Sequence, residues 1–516
     1  MSDTFTCLPF EQLLEWIKQE EPGEKLFGIP KSLFFTPDPD DPFRVRRYGT
    51  ELESPIGVAA GPHTQLSQNI LAAWLTGARY IELKTVQVLD ELDITKPCIN
   101  MADEGYNCEW SQELKLESSH DEYLNALIAI HLLRNKWGWA DDQGPGFIFN
   151  MSVGYNLEGI LSQRVQQFLD AMTDASDRIG DKLETVAALF PEASDITIPK
   201  AISDNVTIST MHGCPPDEIE KIGRYFIEDR ELNTTIKLNP TLLGPDALRG
   251  ILNDTLGFEA VTVPDIAFEH DLEYDAGVSL IRNLSDLARK VGVEFNLKLT
   301  NTLETANTRH LLPEKEQMLY MSGRPLHVIS VNLARKLQET FNGALDISFC
   351  AGADGFNLTD LLKCGLAPVT VCSDILKPGG YGRLAQYLTR IRSVFNETGA
   401  RSMADYIQNT IDAGDDDLQQ PGTRELESAV LANLASYAEG VKQHPHYHKK
   451  SYPWNGIKTD RTLPRFDCID APCKRTCPTG QDVPGYMRYT ARGEFKKAFG
   501  VILDTNPFPH VQGMVC

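Results

Sequence analysis

CIDAPCKRTCP, residues 468–478, holds three cysteines in eleven residues, the last followed by proline. Thiolates at such spacings suit iron–sulfur ligation. A zinc knuckle is the alternative, although its pairs usually lie two to four apart and are completed by histidine. Only Cys516 follows this run. The chain has eleven cysteines in 516 residues, too sparse for a disulfide scaffold, which favours metal ligation in a reducing compartment. Scattered thiols such as Cys7, Cys98, Cys350 and Cys364 read as small buried apolar residues.

A second set of chemistry-bearing residues stands where apolar runs end. GVAAG, residues 57–61, ends in three small residues, Ala59, Ala60 and Gly61, that let a planar ligand such as a flavin ring approach the backbone. A tight turn is the alternative. Lys84 in IELKTV and Lys237 in TIKLNP have mostly apolar neighbours, so each ammonium is either held in a buried salt bridge or aimed into a pocket. Two lysines in one mouth suit the edge of a reduced flavin, where negative charge develops. A Schiff-base lyase using either lysine is a weaker alternative. Gly352, Cys372 and Ser373, joined by Ser322 and Gly323 of MSGRP, fit a phosphate cradle on successive strand ends.

These residues need elements that bring them together. Between about 51 and 395, short β-branched runs alternate with stretches of helical period. The eight runs are PIGVAAG, YIELKTV, FIFNMSVG, VTISTMHG, TIKLNP, EFNLKLTNT, LDISFCAGA and PVTVCSDI. Near-continuous apolar strands suit a parallel sheet covered on both faces, and eight of them predict a closed TIM (β/α)8 barrel with its chemistry at the strand ends. VTVPDIAFEHDLEYD, 261–275, reads as an inserted strand pair, and the polar stretch 95–120 as a lid pinned by Cys108 and Trp110. Four segments follow: 1–50 a lead-in, 51–395 the barrel, 396–460 helices and a linker, and 461–516 a small cluster-bearing domain. His444, His446 and His448 read as part of a solvated linker rather than a metal site. The net charge of -23 repels phosphate backbones and anionic lipid, which excludes a general nucleic-acid or membrane-surface role. With no apolar run long enough to span a bilayer and no signal-peptide pattern at the start, the sequence predicts a soluble cytoplasmic protein.

Residues 51–395 resemble the FMN-binding barrel of dihydroorotate dehydrogenases and, more closely, dihydropyrimidine dehydrogenases. CIDAPCKRTCPTGQDVPGY through NPFPHVQGMVC resembles the α-helical iron–sulfur domain of the latter and of the glutamate synthase small subunit. The overall order is most similar to the bacterial flavoprotein family labelled "putative selenate reductase subunit". The resemblance implies that Ala60, Gly61, Lys84, Thr85, Lys237, Ser322, Gly323, Gly352, Cys372 and Ser373 meet FMN, and that Asn156, Asn301 and Thr302 meet the substrate. It implies that Cys214 of HGCPP is the proton donor, with His212 as its rival; Met211, His212 and Gly213 depart from the family's Asn-Leu-Ser. Cys468 and Cys473 would serve one 4Fe-4S cluster, and Cys477 and Cys516 the other. Both sets would be incomplete, because the chain would stop inside the cluster domain. Arg465 and Gln512 also stand where related chains often carry cysteine.

The implied activity is reduction, or oxidation in reverse, of an activated C=C in a pyrimidine-like or oxidised purine heterocycle. Electrons would come through the clusters from an NAD(P)H/FAD module outside this chain, within an oligomer or complex. The alternative is a non-catalytic electron-transfer or scaffold subunit of a selenate reductase-like, molybdenum-type complex.

Overall fold

A computed structural model describes residues 6–88, 97–101, 104–108, 113–139, 144–209, 214–377, 379–410, 425–451 and 477–515. It divides into two compact units, residues 1–453 and 454–516. In the first unit eight parallel strands close a barrel: β1 (Ile56–Val58), β2 (Tyr80–Glu82), β3 (Ile148–Val153), β4 (Asn205–Ser209), β5 (Asn233–Leu238), β6 (Phe295–Leu299), β7 (Ile347–Phe349) and β8 (Leu366–Val371). Each strand pairs with its successor, and β8 returns to β1. All eight coincide with the runs read from the sequence, although β4 begins one residue, and β5 and β8 two residues, before theirs.

Register explains how the barrel separates its faces. Val153, Ile208, Ile236 and Leu297 align across β3 to β6 and are buried in the aliphatic layer. The alternate positions Ser209, Lys237 and Lys298 align on β4, β5 and β6, one step away and on the opposite face. Contrary to the expectation of strands apolar on both faces, the barrel interior is polar. It is stable because its groups satisfy one another: Asn150 Nδ2 donates to Asn205 Oδ1 at 2.7 Å, and Thr207 Oγ1 donates to Asn150 Oδ1 at 2.7 Å. Gly57 on β1 is required where a Cβ would lie 1.9 Å from the Tyr80 carbonyl oxygen.

Helices cover the aliphatic layer with one face. In the helix Tyr274–Val291, Gly277, Val278, Leu280, Ile281, Leu284, Leu287 and Ala288 are buried, an i, i+3, i+4 stripe. Gly292 ends it at φ 94°, a left-handed cap that suits glycine. The N-terminal end of the barrel is closed by the hairpin Val45–Arg47 and Thr50–Leu52. Its Tyr48 hydroxyl bonds Thr235 inside the barrel, and Arg47 pairs with Asp346 at 2.5 Å. Nearby, Glu53 joins Arg79 at 2.5 Å and Arg134 at 2.6 Å.

At the C-terminal end a four-stranded antiparallel sheet forms from Leu303–Ala306, Met318–Ser322, Gly105–Asn107 and Ile99–Asn100, in that order. This is the inserted β-structure. Residues 261–275 instead carry the short helix Ile266–Glu269 and contain no strand, because Pro264 and the polar residues around it favour a loop and helix start. The proposed lid segment contributes two of the four strands, and Cys108 is buried beside them, its N–H donating to Cys98 O at 3.0 Å. Trp110 lies outside the described residues.

Helices Met403–Asn409 and Leu426–Gln443 follow, then two short turns over 445–451. That last stretch is docked on the barrel unit rather than solvated. Tyr447 is buried and stacks on His327 with centroids 5.2 Å apart, His446 Nε2 lies 3.3 Å from Asp354 Oδ2, and Lys449 Nζ donates to Glu104 Oε2 at 3.1 Å. Alternating aromatic and charged residues found partners on the barrel, a tertiary fact that local composition does not encode. The second unit contains the helices Val483–Ala491, Phe495–Leu503 and Pro509–Val515. Among the described residues, no helix is long and apolar enough to cross a membrane.

Candidate active site

A cavity of about 410 Å³ opens at the C-terminal end of the barrel, bounded by the strand ends and by Ile99, Met101, Tyr106, Asn107 and Tyr320 of the lid region. Ala60, Gly61, Lys84, Thr85, Lys237, Ser322, Gly352, Cys372, Ser373, Asn301 and Thr302 all line it. Gly323 flanks it as the N-cap of the helix Arg324–Thr340, at φ 83°. The Ser322 and Ser373 hydroxyls are 2.9 Å apart, which brings two loops far apart in sequence to one point. Leu326, in the first turn of that helix, also lines the cavity. Helix N–H groups, two hydroxyls and glycine-lined backbone form a donor set suited to a phosphate.

The cradle tolerates no added side chain. A Cβ on Gly352, already at φ 58°, would stand 2.3 Å from Gly323 O. One on Gly61 would meet the His63 ring at 2.6 Å. His63 is buried, and its pKa is pushed down to about 4 by that burial. Cys372 Sγ lies 3.9 Å from His63 Nδ1, and burial pushes this thiol up to about 11 against the opposing pull of Lys237 and Lys84. It is therefore a neutral wall residue at physiological pH.

Beneath the cavity lies a charged group that the sequence reading missed. Glu82 on β2 and Lys298 on β6 form an ion pair across the barrel axis, both essentially inaccessible to solvent. Thr370 Oγ1 accepts from Lys298 Nζ at 2.7 Å and donates to Glu82 Oε1 at 2.8 Å. Burial alone would raise the Glu82 pKa, but the ammonium groups of Lys298 and then Lys237 hold it below the ordinary carboxylate value. The other Glu82 oxygen accepts from the Ala60 N–H at 3.4 Å, at the cavity wall. The alternation of Lys298 with Asn296 in EFNLKL was the available signal, since both have period-two spacing on one strand face.

On the β4 to β6 side, Asn301 Nδ2 donates to Asn239 Oδ1 at 2.8 Å and to Lys237 O at 3.3 Å, while its Oδ1 accepts from Ser209 Oγ at 3.1 Å. Asn156 is placed elsewhere in role: it caps a short helix, accepting from Gly159 N at 2.9 Å, and is not among the residues lining the cavity. Cys214 lines a separate, smaller crevice with Ile219, Leu238, Asn239, Leu242, Asp271 and Leu272. Burial first, then Glu218, Asp217 and Asp271, push its thiol up to about 11, so it carries its proton at neutral pH. His212 lies outside the described residues.

Of the four candidate metal ligands, Cys468, Cys473 and Cys516 also lie outside the described residues. Cys477 precedes the helix Val483–Ala491, and its Sγ lies 3.2 Å from Thr479 Oγ1. That hydroxyl and the N–H groups of Gln481 and Thr479 lower the thiol pKa, which favours the thiolate a metal requires. Gln512 sits on the helix Pro509–Val515. Among the described residues, no three histidine, cysteine or carboxylate side chains gather as a metal site.

A closed parallel (β/α)8 barrel with a ligand-sized cavity at its mouth, followed in the chain by a small helical unit, defines a TIM-barrel protein with an appended helical domain. The family model described as "Oxidoreductase YgfK, N-terminal TIM-barrel domain" matches residues 27–420, and one described as "Dihydropyrimidine dehydrogenase domain II, 4Fe-4S cluster" matches residues 458–516. The chain belongs to the YgfK oxidoreductase family. It is 39% identical over 536 residues to "Putative oxidoreductase YgfK" of Escherichia coli K12, covering 100% of this chain and 49% of the relative, so it spans about half the length of that protein. A "Dihydroorotate dehydrogenase (quinone)" of Rhodopseudomonas palustris is 24% identical over 378 residues, covering 72% of this chain and 86% of the relative. A crystal structure of DHODH from Eimeria tenella, in complex with ferulenol, superimposes with a TM-score of 0.45 at 16% identity, covering 77% of this chain and 93% of that one.

Proposed function

We propose that the barrel mouth binds FMN and that the chain oxidises or reduces an activated C=C in a pyrimidine-like or oxidised purine heterocycle. The observation carrying this reading is the convergence of Ser322, Ser373, Gly352 and the helix start at Gly323 on the same cavity as Lys84 and Lys237. Its volume of about 410 Å³ lies in the range of cofactor and ligand sites. Ser322, Gly323, Gly352 and Ser373 would hold the phosphate, Ala60 and Gly61 would leave room for the ring, and Lys84 with Lys237 would favour negative charge on it. Bound there, FMN supplies hydride or electron transfer at its ring.

The residues of this chain do the rest. Asn301 and Thr302 orient the heterocycle, and the lid region around Tyr106 and Tyr320 limits water access. Cys214 holds a proton at Sγ and would donate it to the carbon next to the one that receives hydride. Cys468, Cys473, Cys477 and Cys516 would contribute ligands to 4Fe-4S clusters, which would supply one-electron transfer with an NAD(P)H/FAD module beyond this chain. A scaffold or electron-transfer subunit is the second reading, favoured by the position of Cys214 in a crevice distinct from the main cavity.

Anaerobic titration of the flavin-loaded chain with pyrimidines and oxidised purines, following flavin bleaching or recovery, separates the two. Redox turnover supports the enzyme; a bound flavin that no heterocycle oxidises or reduces supports the scaffold. In an active preparation, Cys214→Ser lowers turnover by about 10²-fold or more. An unchanged rate would move the acid role to His212 or water.

A further inference from the structure

A hydrogen-bonded chain links the main cavity to the smaller crevice, and its direction is fixed at one end. Asp271, 7% exposed and in the loop before the helix Tyr274–Val291, accepts from Asn239 Nδ2 at 3.1 Å and from Thr241 Oγ1 at 2.6 Å. An ionised carboxylate can only accept. Asn239 must therefore point its NH2 at Asp271 and its carbonyl the other way. That carbonyl accepts from Asn301 Nδ2 at 2.8 Å, and Lys237 O takes the second Asn301 proton at 3.3 Å. Both Asn301 N–H groups are thus committed to protein, and its Oδ1 accepts from Ser209 Oγ at 3.1 Å, which also commits the serine proton. Ser209 and Asn301 line the cavity, whereas Asp271 does not.

We propose that Asp271 is a positioning residue that sets the hydrogen-bond polarity of the Ser209–Asn301 wall, making it acceptor-only, so that the ligand edge facing it must present N–H groups. The inference rests on the reading of the mouth as a heterocycle site, and it narrows that site to the N–H-bearing lactam form of a ring. An asparagine amide free to turn over would offer a donor or an acceptor, so without the carboxylate the wall accepts either ligand edge. Asn239 transmits the choice because both of its ends are occupied.

The test compares binding of uracil and 1,3-dimethyluracil, which lacks both N–H groups, to the FMN-loaded full chain by calorimetry. Wild type should prefer uracil by at least about tenfold. Asp271→Asn should cut that ratio below about threefold with FMN content unchanged, because its amide leaves the direction of the chain undetermined. Adding Asn239→Asp to Asp271→Asn returns an acceptor-only group to the chain and should restore the preference, a rescue that a merely structural role does not predict. An Asp271→Asn ratio equal to that of wild type overturns the proposal. Side-chain amide signals of Asn301 in the ligand-free chain give a readout independent of heterocycle binding. If neither probe binds wild type, the heterocycle reading fails. In that case, amide signals that Asp271→Asn shifts and the double variant restores still support the polarity device, and signals that do not move overturn it.

Discussion

The N-terminal and C-terminal ends of the barrel are made from the same eight strands, yet they use polar residues in opposite ways. At the N-terminal end Glu53 is gripped by Arg79 and Arg134, Arg47 by Asp346, and Tyr48 seals the interior against Thr235. Polar groups there close space. At the C-terminal end, glycines and short hydroxyl side chains keep about 410 Å³ open, with lysines on its wall. Between the two, Glu82, Lys298 and Thr370 form a satisfied layer on which the mouth rests. A charged residue in a barrel strand is therefore structural or functional according to its height along the axis, since only the strand ends face a space that a ligand can enter.

Breaking the closed end should have the largest effect. Glu53→Ala leaves two buried guanidinium groups without their shared carboxylate, and should lower unfolding free energy by about 3–5 kcal/mol in a denaturant titration. A loss comparable to that of an exposed ion pair would show that this end is not held by charge.

Acid sensitivity sharpens the comparison at the mouth. Burial holds His63, His131 and His327 at pKa values of about 4, against 6.5 for an unperturbed histidine. In this window the unfolded chain binds more protons than the folded one, so stability is full above about pH 6.5 and falls as pH drops toward 4, by up to roughly 3 kcal/mol for each histidine. His63 packs against Gly61 and Cys372 of the cavity wall, and His63→Gln should remove its share. Equal acid losses in variant and wild type, measured by unfolding at pH 7 and 4.5, would place the sensitivity elsewhere.

Two smaller effects should be confined to the open end. Gly352→Val forces a side chain onto Gly323 O and should weaken FMN retention by more than tenfold, about 1.4 kcal/mol, in equilibrium dialysis. Ser322→Ala removes one hydroxyl and should cost about 1 kcal/mol, roughly fivefold in affinity. If Glu53→Ala, examined where it is still folded, lost flavin as readily as Gly352→Val, the division between the ends would not hold.

The sequence made the barrel and much of its mouth legible because strand cores are aliphatic and strand ends are small or polar, both local signals. Ser322 and Ser373, 51 residues apart, were assigned to one cradle from the order of the strands, and their hydroxyls do meet. Lys298 was missed because a lone cation in EFNLKL gives no indication of its partner, Glu82, which is 216 residues away. The pairing of Gly105–Asn107 with Met318–Ser322 is likewise long-range and antiparallel, and no turn signal announces it. Asn156 illustrates the opposite problem: a polar residue after a strand can cap the next helix as readily as touch a ligand. The docking of 445–451 depended on aromatic partners in distant helices, His327 and Tyr437, and so lay beyond local pattern.

Cofactor content tests the central claim most directly. The full chain, purified anaerobically and extracted, should yield close to one FMN per polypeptide, with the yield collapsing in Gly352→Val and not in a folded Glu53→Ala preparation. Wild-type protein that is folded, carries no flavin and takes up none on incubation with FMN would contradict it.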